Sequence, residues 1–201
     1  MTGKIASAPN VFAGFIVRVL AVLACCLPLA GPATPQTAKL LVFEQFHVQQ
    51  QRFACTLEYP SGRCLRDLRL LARLLEPYHA LSLGAWQWVV VARSEWKPFC
   101  TGLGLDELSP AMTSFLDHQT FLDEALFDVF PGRGSELAQK FGVPSKELLI
   151  FALTHELGHA VCRDASETGA ERFAEEIRRR RPGRCDSAAM PVWGYRLPPG
   201  R

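Results

Sequence analysis

Residues 143–162 read VPSKELLIFALTHELGHAVC, and this stretch decides the fold. Pro144 followed by Ser145 is typical of a helix start, with Ser145 as the N-cap. The apolar residues that follow point to all sides of the helix axis, which predicts a buried helix that ends near Cys162. The other elements of the chain therefore have to cover this helix.

Three polar residues, His155, Glu156 and His159, interrupt the apolar helix in the pattern H-E-x-x-H. One helical turn separates the histidines, so both imidazoles leave the same face and can share a Zn²⁺ ion. Glu156 lies beside them and can accept a proton from a water molecule that zinc activates. The pattern predicts a zinc centre with Glu156 as general base, and a solvated polar patch near a helix end is the alternative.

A catalytic zinc normally takes three protein ligands, so a third donor is needed. A second helix is predicted over residues 166–181, only about four residues after the first. Such a short connection makes the two helices antiparallel neighbours. Glu167 and Glu171 both qualify as the third ligand, and for each the alternative is a surface carboxylate that pairs along its own helix.

The second helix matches the pattern E-x-x-A-x-x-F-A at four positions, Glu167, Ala170, Phe173 and Ala174. Together with H-E-x-x-H, it resembles the gluzincin-type zinc metallopeptidases over residues 145–181. The resemblance implies a zincin-like fold, hydrolysis of peptide bonds and Glu167 as the third ligand. It also implies that position 171, here Glu171, orients a histidine.

Other residues are weaker candidates for a role in the site. Cys162 offers a thiolate, but two histidines and a glutamate already satisfy the metal, so a disulfide or a small core residue is favoured. His118 and Tyr195 are candidates for stabilising an oxyanion, and a surface role is the alternative for both. Core or sheet positions rather than a carbohydrate platform are expected for Trp86, Trp88 and Trp96.

The remaining elements indicate an α+β domain. A helix is predicted over residues 65–78 from leucines spaced along one face. Clusters of β-branched and aromatic residues predict strands over residues 39–45, 52–59, 86–92 and 111–117. Together with these elements, the resemblance implies a zincin-like fold, with a small mixed or antiparallel sheet packed on the H-E-x-x-H helix and a glutamate-bearing helix after it. In zincin folds the strand at 111–117 would be the edge strand that pairs with a bound peptide.

The N-terminal 33 residues are typical of a signal peptide. Residues 19–30 are 12 uncharged, mostly apolar residues, fewer than the ~20 needed to span a bilayer, and cleavage is expected near Ala33. The alternatives are an uncleaved membrane anchor, which would bury Arg18 at a cost of about 2.5 to 3.5 kcal/mol, and lipidation of Cys25. The predicted organisation is signal peptide 1–33, linker 34–38, folded domain 39–197 and tail 198–201.

Charge and cysteine content narrow the class of protein. Loss of residues 1–33 removes Lys4 and Arg18 and no acidic residue, so the formal net charge falls from +2 to zero. The charge of the mature chain therefore does not favour nucleic-acid binding. The basic run 178–181 is interpreted as a solvated last turn that complements the helix dipole. Five cysteines lie outside the leader: Cys55, Cys64, Cys100, Cys162 and Cys185. In an exported chain, two disulfides and one free thiol are expected from this number. Cys55 and Cys64 could close a short hairpin.

These observations predict an exported, periplasmic or secreted zinc metallopeptidase that acts on a peptide or protein substrate. Membrane contact is expected only through an uncleaved N-terminal segment. One alternative is a catalytically silent envelope module that zinc stabilises. Another is a metal-dependent hydrolase of a non-peptide amide or of cell-wall material.

Overall fold

A five-stranded sheet lies at the centre of the computed structural model, which describes residues 40–81, 83–128 and 132–186. The order β1-β2-β3-β5-β4 contains two antiparallel pairs, β1 with β2 and β4 with β5, while β2, β3 and β5 run parallel. The sheet is therefore mixed, and β4 lies at an edge. The strands are β1 Val42–Val48, β2 Gln51–Thr56, β3 Trp86–Val91, β4 Ala111–Ser114 and β5 Gln119–Asp123.

Five α-helices accompany the sheet within the described residues, so the class is mixed α and β, in keeping with the α+β prediction. Alternate residues of β3 show how the layers pack. Trp88 and Val90 join the main core with helices α1 and α4, whereas Val89 and Val91 join a smaller core with α2. The helices are α1 Ser61–Leu75, α2 Arg93–Leu103, α3 Arg133–Phe141, α4 Leu148–Cys162 and α5 Glu167–Arg178.

The two helices that carry the motif differ from prediction only at their ends. Ser145 caps no helix, because residues Ser145–Glu147 form a separate 3-10 turn and α4 begins at Leu148. The second helix ends at Arg178 instead of residue 181, since Arg180 adopts a left-handed backbone with φ of 57°. The four-residue connection between α4 and α5 is confirmed.

The predicted strand bounds were displaced by up to three residues, and three elements were not predicted. The strand predicted over 52–59 ends at Thr56 because the backbone turns there, with the amide of Tyr59 donating to the oxygen of Thr56 at 3.1 Å. Pro60 is the N-cap of the next helix, so the helix predicted over 65–78 runs from Ser61 to Leu75. Helix α2, which contains Pro98, was not predicted, and neither were α3 and β5.

Two disulfides are present among the described residues, as predicted, and Cys100 is a buried free thiol. Burial raises the pKa of Cys100 to about 11, so the thiol stays protonated at neutral pH. The suggested pairing of Cys55 with Cys64 is confirmed, but the disulfide closes no hairpin, because it joins β2 to α1. The second disulfide links Cys162 to Cys185, so Cys162 is not a metal ligand. Disulfides of this kind are typical of an oxidising compartment.

No helix in the described part of the chain is long and apolar enough to span a bilayer. The predicted leader, linker and tail, with Lys39, Cys25 and Tyr195, lie outside the described residues.

Helices α4 and α5 approach closely at Gly158. A Cβ atom at this position would lie 2.6 Å from the carbonyl oxygen of Ala170 and 2.7 Å from its Cα. Both are backbone atoms, which cannot move without displacing α5. Glycine is therefore required here, and its absence of a side chain sets the spacing of the two helices.

Gly158→Ala is expected to destabilise the protein by about 1 to 3 kcal/mol, as overpacking of a well-packed core does. Chemical denaturation followed by circular dichroism measures this free energy of unfolding. Gly62→Ala is the matched control, because its new Cβ meets nothing within 4 Å in the first turn of α1. Equal stability of the two variants would contradict the role given to Gly158.

Candidate metal centre

The close approach of the helices brings three side chains to one point. His155 and His159 leave the same face of α4, with ring centroids 5.0 Å apart. Glu167, in the first turn of α5, has one carboxylate oxygen 3.0 Å from Nε2 of His155 and the other 3.7 Å from Nε2 of His159. One ligand atom from each of the three residues lies within 4.8 Å of the others.

The other ring nitrogens face acceptors. Nδ1 of His159 lies 2.7 Å from the backbone oxygen of Asp164, which can only accept a hydrogen bond. Nδ1 of His155 lies 3.1 Å from Oε2 of Glu171. In the tautomer that donates through Nδ1, each histidine presents the lone pair of Nε2 on the side of Glu167, where a metal could bind.

This arrangement suits a cation. With both Nε2 atoms unprotonated, a positive charge between them and the carboxylate of Glu167 would relieve the repulsion of the lone pairs. Ligand bonds of about 2.0 to 2.2 Å to a shared metal would allow the separations of 3.0 and 3.7 Å found here. The donor set thus fits a divalent metal ion, and it is the same kind of set, two histidines and a glutamate, that catalytic zinc uses.

Glu156 lies next to this group and is buried, with 6% of its surface exposed. Its Oε2 atom has no hydrogen-bond partner. Burial raises the pKa of Glu156 to about 7, and the negative charge of Glu167 adds to the shift, while His159 and Thr113 oppose it. A carboxyl group with this pKa can both take and give a proton near neutral pH.

A groove of about 1460 Å³ opens beside these residues. Its lining includes His155, Glu156 and Glu167 together with the edge strand β4, whose Thr113 hydroxyl lies 3.5 Å from the backbone oxygen of Glu156. Much of the remaining surface is apolar, including Met112 and Phe151. The volume exceeds the ~300 to 1,000 Å³ typical of small-molecule sites, which leaves room for an extended chain segment.

The structure brings together His155, Glu156, His159 and Glu167, and it places Glu171 on the far nitrogen of His155 instead of within the group. His118 does not join them: its ring stacks on Trp86 with centroids 5.6 Å apart, and Nδ1 lies 3.2 Å from the oxygen of Ala85. Full burial in the core is confirmed for Trp86, Trp88 and Trp96.

Sequence reasoning missed the part that Arg178 plays. The interpretation of the basic run 178–181 as a solvated turn was wrong for this residue, whose side chain is 22% exposed and contacts Glu171 and Thr154. A signal was present, since Arg178 lies seven residues after Glu171, two turns further along the same helix face.

No family model, no curated protein and no solved structure matches this chain. Its function has to be inferred from the geometry of the site.

The two glutamates of α5 are expected to differ in their effect on metal binding. Glu167→Ala removes a ligand atom and should weaken zinc binding more than Glu171→Ala, which removes only the partner of His155 and should cost about 10 to 100-fold in affinity. Competition with a chromogenic chelator at fixed pH measures both dissociation constants. The opposite ranking would make Glu171 the ligand.

Proposed function

We propose that the protein is a zinc-dependent metallopeptidase with a zincin-like fold. In this proposal His155, His159 and Glu167 hold the metal and Glu156 is the general base. The observation that carries it is the buried, unpartnered Oε2 atom of Glu156 beside three converging metal donors. Leaving a buried polar atom without a partner costs about 1 to 3 kcal/mol, which is explained if a reactant supplies the missing partner.

The choice of zinc follows from the donors. Two imidazole nitrogens and one carboxylate oxygen suit this ion, and three protein ligands leave a further coordination position open. When bound, zinc would polarise the scissile carbonyl and lower the pKa of a water molecule. A purely structural site would have no use for the free oxygen of Glu156, and this disfavours a catalytically silent module.

Glu156 supplies the proton transfers. Its Oε2 takes a proton from the attacking water as the carbon–oxygen bond forms, and it returns that proton to the amine nitrogen as the carbon–nitrogen bond breaks. Its place beside the metal donors, with one oxygen free, suits both steps.

The edge strand supports a peptide as substrate. β4 pairs with β5 on one side only, so its other edge can add an extended chain as a further strand. Alternate side chains of such a chain would face the apolar surface around Met112 and Phe151. Peptide or protein substrates fit this groove better than a compact amide does.

Export completes the proposal. The two disulfides require an oxidising compartment to form and persist, and the apolar stretch at residues 19–30 has the length of a signal-peptide core. We place the enzyme in the periplasm or outside the cell, with an uncleaved N-terminal segment as its one route to a membrane.

The purified protein is expected to carry close to one zinc ion per chain, because His155, His159 and Glu167 bring together the three donors of a zinc site. His159→Ala should abolish this binding. Inductively coupled plasma mass spectrometry measures the metal content. Equal zinc in the wild type and in His159→Ala would refute the metal site.

Glu156→Gln separates the base from the ligands, since glutamine keeps the size of glutamate but cannot take a proton at neutral pH. Zinc should remain bound while hydrolysis of a mixture of quenched fluorescent peptides falls by at least ~10²-fold. Glu147→Gln is the matched control, because Glu147 is an exposed glutamate just before α4 and is not among the residues that line the groove. Unchanged turnover in Glu156→Gln would remove this residue from the mechanism, and loss of zinc would make it a ligand.

A further inference from the structure

Arg178 reaches from the last turn of α5 across to α4. Its Nη1 donates a hydrogen bond of 2.9 Å to the hydroxyl oxygen of Thr154, and its Nη2 forms an ion pair with Oε1 of Glu171. The guanidinium carbon lies 4.7 Å from the ring centroid of Phe151, over its face. Three different contacts thus hold one side chain, of which 22% is exposed.

Thr154 is a fixed anchor for this arginine. It is fully buried, and its hydroxyl group lies 2.8 Å from the backbone oxygen of Ile150 and 3.0 Å from that of Phe151, to which it donates its proton. The hydroxyl oxygen keeps its lone pairs and accepts from Nη1 of Arg178. With Nη1 on Thr154 and Nη2 on Glu171, the guanidinium has little freedom to turn.

Glu171 stands between Arg178 and the metal centre. One carboxylate oxygen pairs with the guanidinium of Arg178, and the other accepts a hydrogen bond of 3.1 Å from Nδ1 of His155. The Glu171 side chain is 35% exposed, so packing alone does not confine it. The planar fork of an arginine is well suited to hold a carboxylate in one orientation.

We infer that Arg178 is a positioning residue for the metal centre, holding Glu171 in the orientation that aims Nε2 of His155 at the metal. This inference rests on the proposed function, because it assigns His155 as a ligand. Partners of ligating histidines that fix the ring and its tautomer are worth 10 to 100-fold in metal affinity. Arg178 contributes to this effect through Glu171.

A purely structural role, as a tie between two helices, is the competing explanation. The two differ in what happens when Glu171 is already altered. If Arg178 acts through Glu171, its loss has no further effect on metal affinity in a Glu171→Gln background. If Arg178 only ties α4 to α5, the losses of metal-binding free energy caused by the two substitutions add, as they do for independent sites.

The test uses the full-length protein and cobalt(II) as the probe metal. Arg178→Met keeps a long apolar side chain against Phe151 and removes the charged fork. It should raise the cobalt dissociation constant about 10 to 100-fold and change the visible spectrum of the bound ion, which reports ligand geometry. Arg178→Lys should restore part of the affinity, because an ammonium can pair with Glu171 but cannot bind two partners as a fork does.

Arg179→Met is the matched control, since Arg179 is the neighbouring residue, is 62% exposed and pairs only with Glu175 at 3.7 Å. It should leave the dissociation constant and the spectrum unchanged. Thermal unfolding of the metal-free variants checks that each protein folds. The double variant Arg178→Met with Glu171→Gln should bind cobalt as Glu171→Gln alone does.

The results separate this inference from the proposed function. A folded Arg178→Met protein with wild-type cobalt affinity and spectrum would overturn the positioning role, and so would additive losses in the double variant. If cobalt binding depends on Arg178 but the protein hydrolyses no peptide, the positioning role is upheld and the proposed peptidase activity is overturned. A wild type that binds no metal would overturn both.

Discussion

The contact between Gly158 and the backbone of Ala170 sets the geometry on which the site depends. Because no side chain separates the helices there, residues on either side of the contact are brought face to face in antiparallel order. His159 meets Glu167, His155 meets Glu171, and further along Thr154 meets Arg178. One close approach of two backbones thus aligns every polar partnership between α4 and α5, and a wider spacing would separate them all.

The polar groups of these helices form a nearly complete set of partners within an otherwise apolar core. Nδ1 of each histidine has an acceptor, and Thr154 and Glu171 are both engaged with Arg178. The exception within these two helices is the free oxygen of Glu156, which lies beside the inward ring nitrogens and Glu167. A buried polar atom without a partner is costly, so its position next to three metal donors at a groove is the strongest indication of a chemical role.

Sequence patterns predicted the parts of this arrangement that depend on local order. The apolar periodicity of α4, the spacing of its histidines and the short link to α5 all act within a few residues, and they were sufficient to bring Glu167 to the histidines. Pairing of β2, β3 and β5 in parallel depends on contacts between distant segments, which no local pattern encodes. Helix α2 was missed because Pro98 normally ends a helix, yet here the burial of Trp96 and Phe99 outweighs it. Arg178 was misjudged because charge runs are usually solvated.

The Cys162–Cys185 disulfide closes a loop, with a sequence separation of 23, that contains the whole of α5. Cross-linking its ends lowers the conformational entropy of this segment in the unfolded chain, so less entropy is lost when α5 packs on α4. The contacts between α4 and α5 are also local in sequence, whereas β2, β3 and β5 pair across distant segments. The metal centre therefore lies in the part of the fold that is least costly to assemble.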